Sequence, residues 1–85
     1  MFYVYIIKSR KTGEIYIGLT NNLKRRIEEH NQGNSISTKS NAPWELIYFE
    51  GYKSEKDAIL REKGLKYFGK ALGQLKRRIK NSLLI

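Results

Sequence analysis

The chain is expected to fold as one small domain mixing strands and helices, α+β in class, and three observations lead there. Short runs rich in Tyr, Ile and Val alternate with stretches whose apolar residues recur every three or four positions. The 85 residues are 40% hydrophobic and 12% aromatic, too apolar for a disordered basic tail. A chain of this length buries only about 60% of the surface it exposes when unfolded, so a cofactor cleft between two domains is beyond its reach. Any site must therefore lie on a sheet face or in a shallow groove. No internal repeat, linker or second domain is visible, and residues 1–85 are read as a single domain.

Phe2–Lys8 and Ile15–Thr20 are two strand-like runs joined by the turn signal Lys11-Thr12-Gly13-Glu14, and they read as an antiparallel hairpin. Because strand side chains alternate, Tyr3, Tyr5 and Ile7 share one face of the first strand, and Tyr16, Gly18 and Thr20 share one face of the second. Asn21 or Asn22 caps a helix that runs through Asn31 and stops near Gly33. On this helix Leu23, Arg26, Ile27 and His30 fall at i, i+3, i+4 and i+7, so an arginine and a histidine occupy the apolar stripe. Gln32 to Pro43, rich in Gly, Asn, Ser and Thr, reads as a mobile surface loop without apolar anchors.

Trp44 to Tyr52 returns to a strand pattern, with Leu46, Tyr48 and Glu50 alternating with Ile47 and Phe49. Ser54 is expected to cap a helix reaching Phe68 or Gly69, with the early acids Glu55 and Asp57 favoured by its dipole. Ala58, Ile59 and Leu65 form the apolar stripe of this helix, continued by Leu72 beyond it. Glu62 lies in the middle of that stripe, where an unpaired carboxylate is costly or titrates high, so it needs a partner. Gly69 to Gly73 is expected to interrupt the helix. Gln74 to Leu84 then forms a last helix bearing Lys76, Arg77, Arg78 and Lys80 and no acid.

Seventeen Lys plus Arg against eight Asp plus Glu give a net charge of +9, which points to a polyanionic partner, nucleic acid first. With no cysteine, disulfides, thiol nucleophiles and Cys-ligated metals are excluded, and the single histidine cannot build a His-based metal cage. The N-terminus lacks the basic leader and cleavage site of a signal peptide. No apolar run approaches the ~18 residues of a membrane span, so the expected compartment is the cytoplasm, with no membrane partner.

Arg26, His30 and Glu62 thus lie on the inward faces of two helices, while the strands offer a tyrosine face. Converging, they would suit a phosphodiester: the acid can hold a divalent metal, the arginine can stabilise charge developing on phosphate, and a tuned tyrosine can relay a proton. Each also has a plainer reading. Arg26 and Glu62 can be an ion pair between helices, His30 a dipole partner at a helix end, the tyrosines sheet packing, and Lys76 to Lys80 a solvated face.

Tyr3-Val4-Tyr5, then Tyr16-Ile17-Gly18, then Arg26-Ile27-Glu28-Glu29-His30 and Arg61-Glu62 together resemble the GIY-YIG nuclease superfamily, found in homing endonucleases and in the excision-repair nuclease UvrC. The likeness covers almost the whole chain and is nearest to small stand-alone UvrC-like bacterial proteins. It implies a compact fold with a central three-stranded antiparallel sheet flanked by helices. It also implies that Glu62 is the sole protein ligand of a Mg2+ or Mn2+ ion, that Arg26 is the phosphate-stabilising cation, and that Tyr5 and Tyr16 share the role of general base. His30 matches a histidine that orients the tyrosine or contacts phosphate, and Gly18 lets its strand approach neighbouring backbone or substrate.

Two departures from the family pattern stand out. Tyr3 replaces the first glycine of the name, and Leu19 stands where a lysine is usual, a contact that Lys8 or Lys39 could supply. Asn81 is the only candidate for an asparagine that follows the glutamate helix in many members.

The function expected from the resemblance is a divalent-metal-dependent DNA endonuclease, structure-selective or nonspecific, acting in repair or recombination, or directed to its target by a partner protein. Its DNA would be held by Arg25, Lys39, Lys76, Arg77, Arg78 and Lys80, through largely sequence-independent phosphate contacts. The competing expectations are a non-catalytic basic nucleic-acid adaptor on the same fold, and an interaction protein that pairs through its sheet edge or last helix.

Overall fold

The computed structural model describes residues Met1 to Leu84. Strands β1 (Phe2–Ser9), β2 (Ile15–Thr20) and β3 (Trp44–Tyr52) form one antiparallel sheet in the order β2-β1-β3. Helix α1 (Leu23–Asn31) follows the hairpin, a short 3-10 turn (Lys39–Asn41) precedes β3, and α2 (Glu55–Tyr67), α3 (Gly69–Arg78) and α4 (Lys80–Leu84) complete the chain. The fold is α+β, with helices flanking the sheet. No helix among the described residues is long and apolar enough to cross a membrane.

The hairpin turn is organised by Ser9, whose hydroxyl accepts from the amides of Lys11 and Thr12, while Gly13 takes the left-handed conformation (φ +79°) that lets the chain reverse. Central strand β1 is buried on both faces from Val4 to Ile7. Val4, Ile6 and Ile17 meet Ala58, Leu65 and Leu75 beneath α2 and α3. Tyr5, Ile7 and Trp44 lie on the opposite face with Leu23 and Ile27 of α1.

Three expectations are corrected. Leu46 and Tyr48 do not share a face: a β-bulge opposite Ile6 and Ile7 sends Leu46 to the α1 side and Tyr48 to the α2 side. Gly69 to Gly73 is helical rather than an interruption: the chain leaves the helix at Phe68, between α2 and α3, as expected, and breaks again at Ile79, between α3 and α4. A glycine costs a helix interior about 1 kcal/mol relative to alanine, which the burial of Ala71, Leu72 and Leu75 against the Val4 face outweighs. Ser54 occupies the N-cap position of α2, yet its side chain makes no capping hydrogen bond, whereas the Asn22 side chain does cap α1 by accepting from the Arg25 amide.

The α2 side of the sheet also holds a polar cluster. Arg61 donates two hydrogen bonds of 2.9 Å to the Glu50 carboxylate, which also accepts from the Tyr48 hydroxyl at 2.6 Å and from the Tyr52 hydroxyl. Burial alone would raise the Glu50 pKa, but the bonds from Arg61, Tyr48 and Tyr52 outweigh it and hold the carboxyl at about 2. A carboxylate depressed in the folded state stabilises above its unfolded pKa, and that contribution disappears as pH falls through the folded value. With the Glu50 side chain only 15% exposed, stability on the order of 3 kcal/mol is expected to be lost between about pH 4.5 and pH 2. Chemical denaturation along that pH range should show a steep loss in the wild type and a shallower one in Glu50→Gln. Equal slopes would overturn the assignment.

Candidate active site

Tyr5 of the central strand lies opposite Gly18 of β2. Because Gly18 has no side chain, the Tyr5 ring lies across it: a Cβ built at Gly18 would sit 2.8 Å from Tyr5 Cε1 and closer still to Cζ and the hydroxyl oxygen. The glycine therefore makes room for a tyrosine of the neighbouring strand. Tyr5 is 1% exposed, and its hydroxyl is 2.8 Å from Nε2 of His30, which is fully buried on α1. The other ring nitrogen, Nδ1, is 2.7 Å from the hydroxyl of Thr38. Tyr16 packs edge-on to the same imidazole, with ring centroids 5.2 Å apart.

Burial raises the Tyr5 pKa to about 12, with the neighbouring Arg26 guanidinium pulling it down and the Tyr16 and Glu62 charges pushing it up. Burial also lowers the His30 pKa, and the Arg26 charge adds to this, against a smaller opposing effect of Glu29. At neutral pH both rings are therefore uncharged. Arg26 is bonded at 3.2 Å to Glu29 on its own helix, and its side chain keeps 31% of its surface exposed.

Glu62 belongs to α2, which packs against β1 and β2. The partner that its position demanded is Lys66, one turn on, whose Nζ is 3.3 Å from the carboxylate and 5.7 Å from the centre of the Tyr16 ring. Among the described residues Arg26 and Glu62 form no ion pair with each other, so the interhelical pair is not observed. The structure thus gathers Tyr5, Tyr16, Arg26 and His30 around β1 and β2, with Glu62 close enough for its charge to bear on Tyr5.

The basic residues are divided. Arg25 and Lys39 are exposed on α1 and on the 3-10 turn, flanking Arg26 and Thr38 in the chain. Lys76, Arg77, Arg78 and Lys80 are exposed along α3 and α4, and α4, which also carries the exposed Asn81, packs against β3, the far edge of the sheet from β2. Lys8 is not available for the contact that Leu19 leaves open. It alternates onto the face opposite Tyr5, and its ammonium donates to the Leu83 carbonyl.

Sequence reasoning missed Lys66 and Thr38. The Glu-x-x-x-Lys spacing on α2 was a signal for the first. Thr38 is one of the Ser37-Thr38-Lys39 donors of the segment expected to be mobile, and nothing local marks it as buried, yet Thr38 and Ser35 are buried there. Polar anchors hold that loop: the Trp44 indole N–H donates to the Thr38 carbonyl at 2.8 Å, and Asn31 exchanges hydrogen bonds with the Trp44 backbone.

Residues 1–71 match the model of the GIY-YIG catalytic domain. A UPF0213 protein of Clostridium perfringens is 43% identical over 63 residues, 73% of this chain and 67% of that protein. One of Staphylococcus haemolyticus is 39% identical over 69 residues, 80% of this chain and 83% of that protein. The solution NMR structure of a UPF0213 protein from Bacillus halodurans superposes with a TM-score of 0.53 at 29% identity, covering 89% of this chain and 86% of that one.

Proposed function

Because the chain belongs to the GIY-YIG catalytic-domain family, we propose that it is a divalent-metal-dependent endonuclease that hydrolyses phosphodiester bonds in DNA. The observation that carries this reading is the gathering, beside the β1–β2 pair, of a carboxylate, an arginine and a tyrosine whose hydroxyl is hydrogen-bonded to a buried histidine.

Glu62 would hold the magnesium or manganese ion. No group of three or more His, Cys, Asp or Glu among the described residues could hold a metal, so a cation that needs a full protein cage does not fit. An ion that keeps several waters and takes other oxygens from phosphate needs only one or two carboxylates, and Glu62, 19% exposed and paired only through Oε2 to Lys66, can supply one. Such an ion, when bound, neutralises charge on the phosphodiester and polarises it for attack.

The remaining steps belong to the chain. Arg26, beside the Tyr5 phenol, stabilises negative charge on the phosphate as it develops. The base role belongs to the two tyrosines, and Tyr5 is the member whose own proton has an acceptor. It takes a proton from water as it passes its own to His30 Nε2, so no free phenolate is needed from a group titrating at about 12. His30, whose two ring nitrogens are engaged by Tyr5 and Thr38, orients and relays rather than touching phosphate.

Arg25, Lys39, Lys76, Arg77, Arg78 and Lys80 hold the DNA backbone, which makes cleavage structure-selective or nonspecific unless a partner protein directs it; repair or recombination would use either. The test is a panel of supercoiled, branched and single-stranded DNA incubated with magnesium, manganese or chelator. Nicking that requires metal is expected. Binding measured in chelator should weaken about a hundredfold between ~50 and ~200 mM salt if the four residues of α3 and α4 each contact a phosphate. Salt-sensitive binding with no cleavage of any substrate would make the protein a non-catalytic adaptor instead.

A further inference from the structure

We propose that Thr38 is a positioning residue whose hydroxyl oxygen holds His30 in the tautomer protonated at Nδ1, keeping Nε2 free to accept the Tyr5 proton. Its consequence for catalysis rests on the nuclease reading above, but the tautomer itself does not.

A neutral imidazole donates from one nitrogen and accepts at the other. Both nitrogens of His30 are engaged, one by Tyr5 at 2.8 Å and the other by Thr38 at 2.7 Å. Tyr5 keeps its proton at neutral pH, and Arg26, the charged group beside the phenol, has only donors to offer. Of the groups bonded to the phenol, Nε2 is the one that can accept, so we assign the phenol as donor to Nε2, which places the ring proton on Nδ1. That N–H is buried with His30 and needs an acceptor, and Thr38 Oγ1 provides it.

Thr38 can hold the Nδ1 proton in place because its own position is fixed. It is fully buried, its amide donates to the Ser35 carbonyl at 3.2 Å, and its carbonyl accepts from the Trp44 indole and from the Asn41 amide. Trp44 opens β3, so the segment before it is tied to the sheet that carries Tyr5. A hydrogen-bond chain runs from the sheet, through Thr38 and His30, and back to the phenol.

His30 is the only histidine in the protein, so a nitrogen-15 correlation spectrum of its ring reads the tautomer without ambiguity. The wild type is expected to show a neutral ring protonated at Nδ1. Thr38→Val should shift the population toward the Nε2–H form and lower kcat about 10- to 100-fold, the usual effect of losing such a support. KM and DNA affinity should stay within about twofold, and Thr38→Ser should restore both spectrum and rate. Thr38→Ala, which introduces no new bulk, serves as the second variant with the same expectation should valine prevent folding. A wild-type ring protonated at Nε2, or Thr38 variants that leave Nδ1–H in place, would overturn the proposal. An inactive wild type with the Nδ1–H ring would instead overturn the nuclease reading and leave Thr38 in its assigned role.

Discussion

Replacing Glu62 by glutamine is expected to abolish metal-dependent cleavage, lowering kcat by about three orders of magnitude, while DNA affinity stays level or rises. Glutamine keeps the size and shape of the side chain and removes only its charge. The ion pair lost with Lys66 is one turn along a helix and partly solvated, so the fold should lose only about 0.5 kcal/mol. Freed from its carboxylate, Lys66 becomes an additional cation beside the Tyr16 ring, which accounts for the expected gain in affinity. Single-turnover nicking with metal, set against binding in chelator, separates the two effects. Cleavage at the wild-type rate in Glu62→Gln would show that the carboxylate holds no ion.

Gly18→Ala is expected to damage both stability and activity, although it adds a single methyl group. That methyl would fall on the Tyr5 ring, well inside contact distance of Cζ, Cε1 and the hydroxyl. The ring has nowhere to retreat, since it is buried and its hydroxyl is bound to His30. Forcing it aside combines overpacking of a filled interior with a buried imidazole left short of a partner, a cost of about 2–4 kcal/mol. For a chain of this size that lowers Tm by about 10 °C or more. Cleavage should fall by at least about a hundredfold, because the tyrosine, the histidine and the arginine lose their common geometry.

Gly64→Ala is the control. Nothing lies within 4 Å of a Cβ at that helical position, so the same substitution there should stabilise the fold by about 0.5–1 kcal/mol. If Gly18→Ala melts and cuts like the wild type, Tyr5 does not lie across the strand as described.

The sequence by itself determined what depends on neighbours within a few positions. The hairpin follows from alternating Tyr and Ile runs about the Lys11–Glu14 turn, and α1 from an Asn cap followed by the Leu23, Ile27 spacing, because strand and helix periods repeat over two to four residues. The same periodicity leads to the expectation that Arg26, His30 and Glu62 face inward; His30 is fully buried, while the Arg26 and Glu62 side chains keep 31% and 19% of their surface exposed.

Only the tertiary structure decided the rest. Tyr5 and His30 are 25 positions apart, so no local pattern reports that their side chains meet, and in the sequence Gly18 reads as a generic point of close approach, whereas the fold lays the Tyr5 ring across it. The bulge in β3 depends on how β1 pairs with it, and α3 runs through Gly73 because Leu72 and Leu75 are buried against the sheet. Thr38 sits in a stretch whose composition reads as loop. Its burial comes from polar anchors supplied by His30 and Trp44, and hydrogen bonds between distant side chains leave no periodic trace in a sequence.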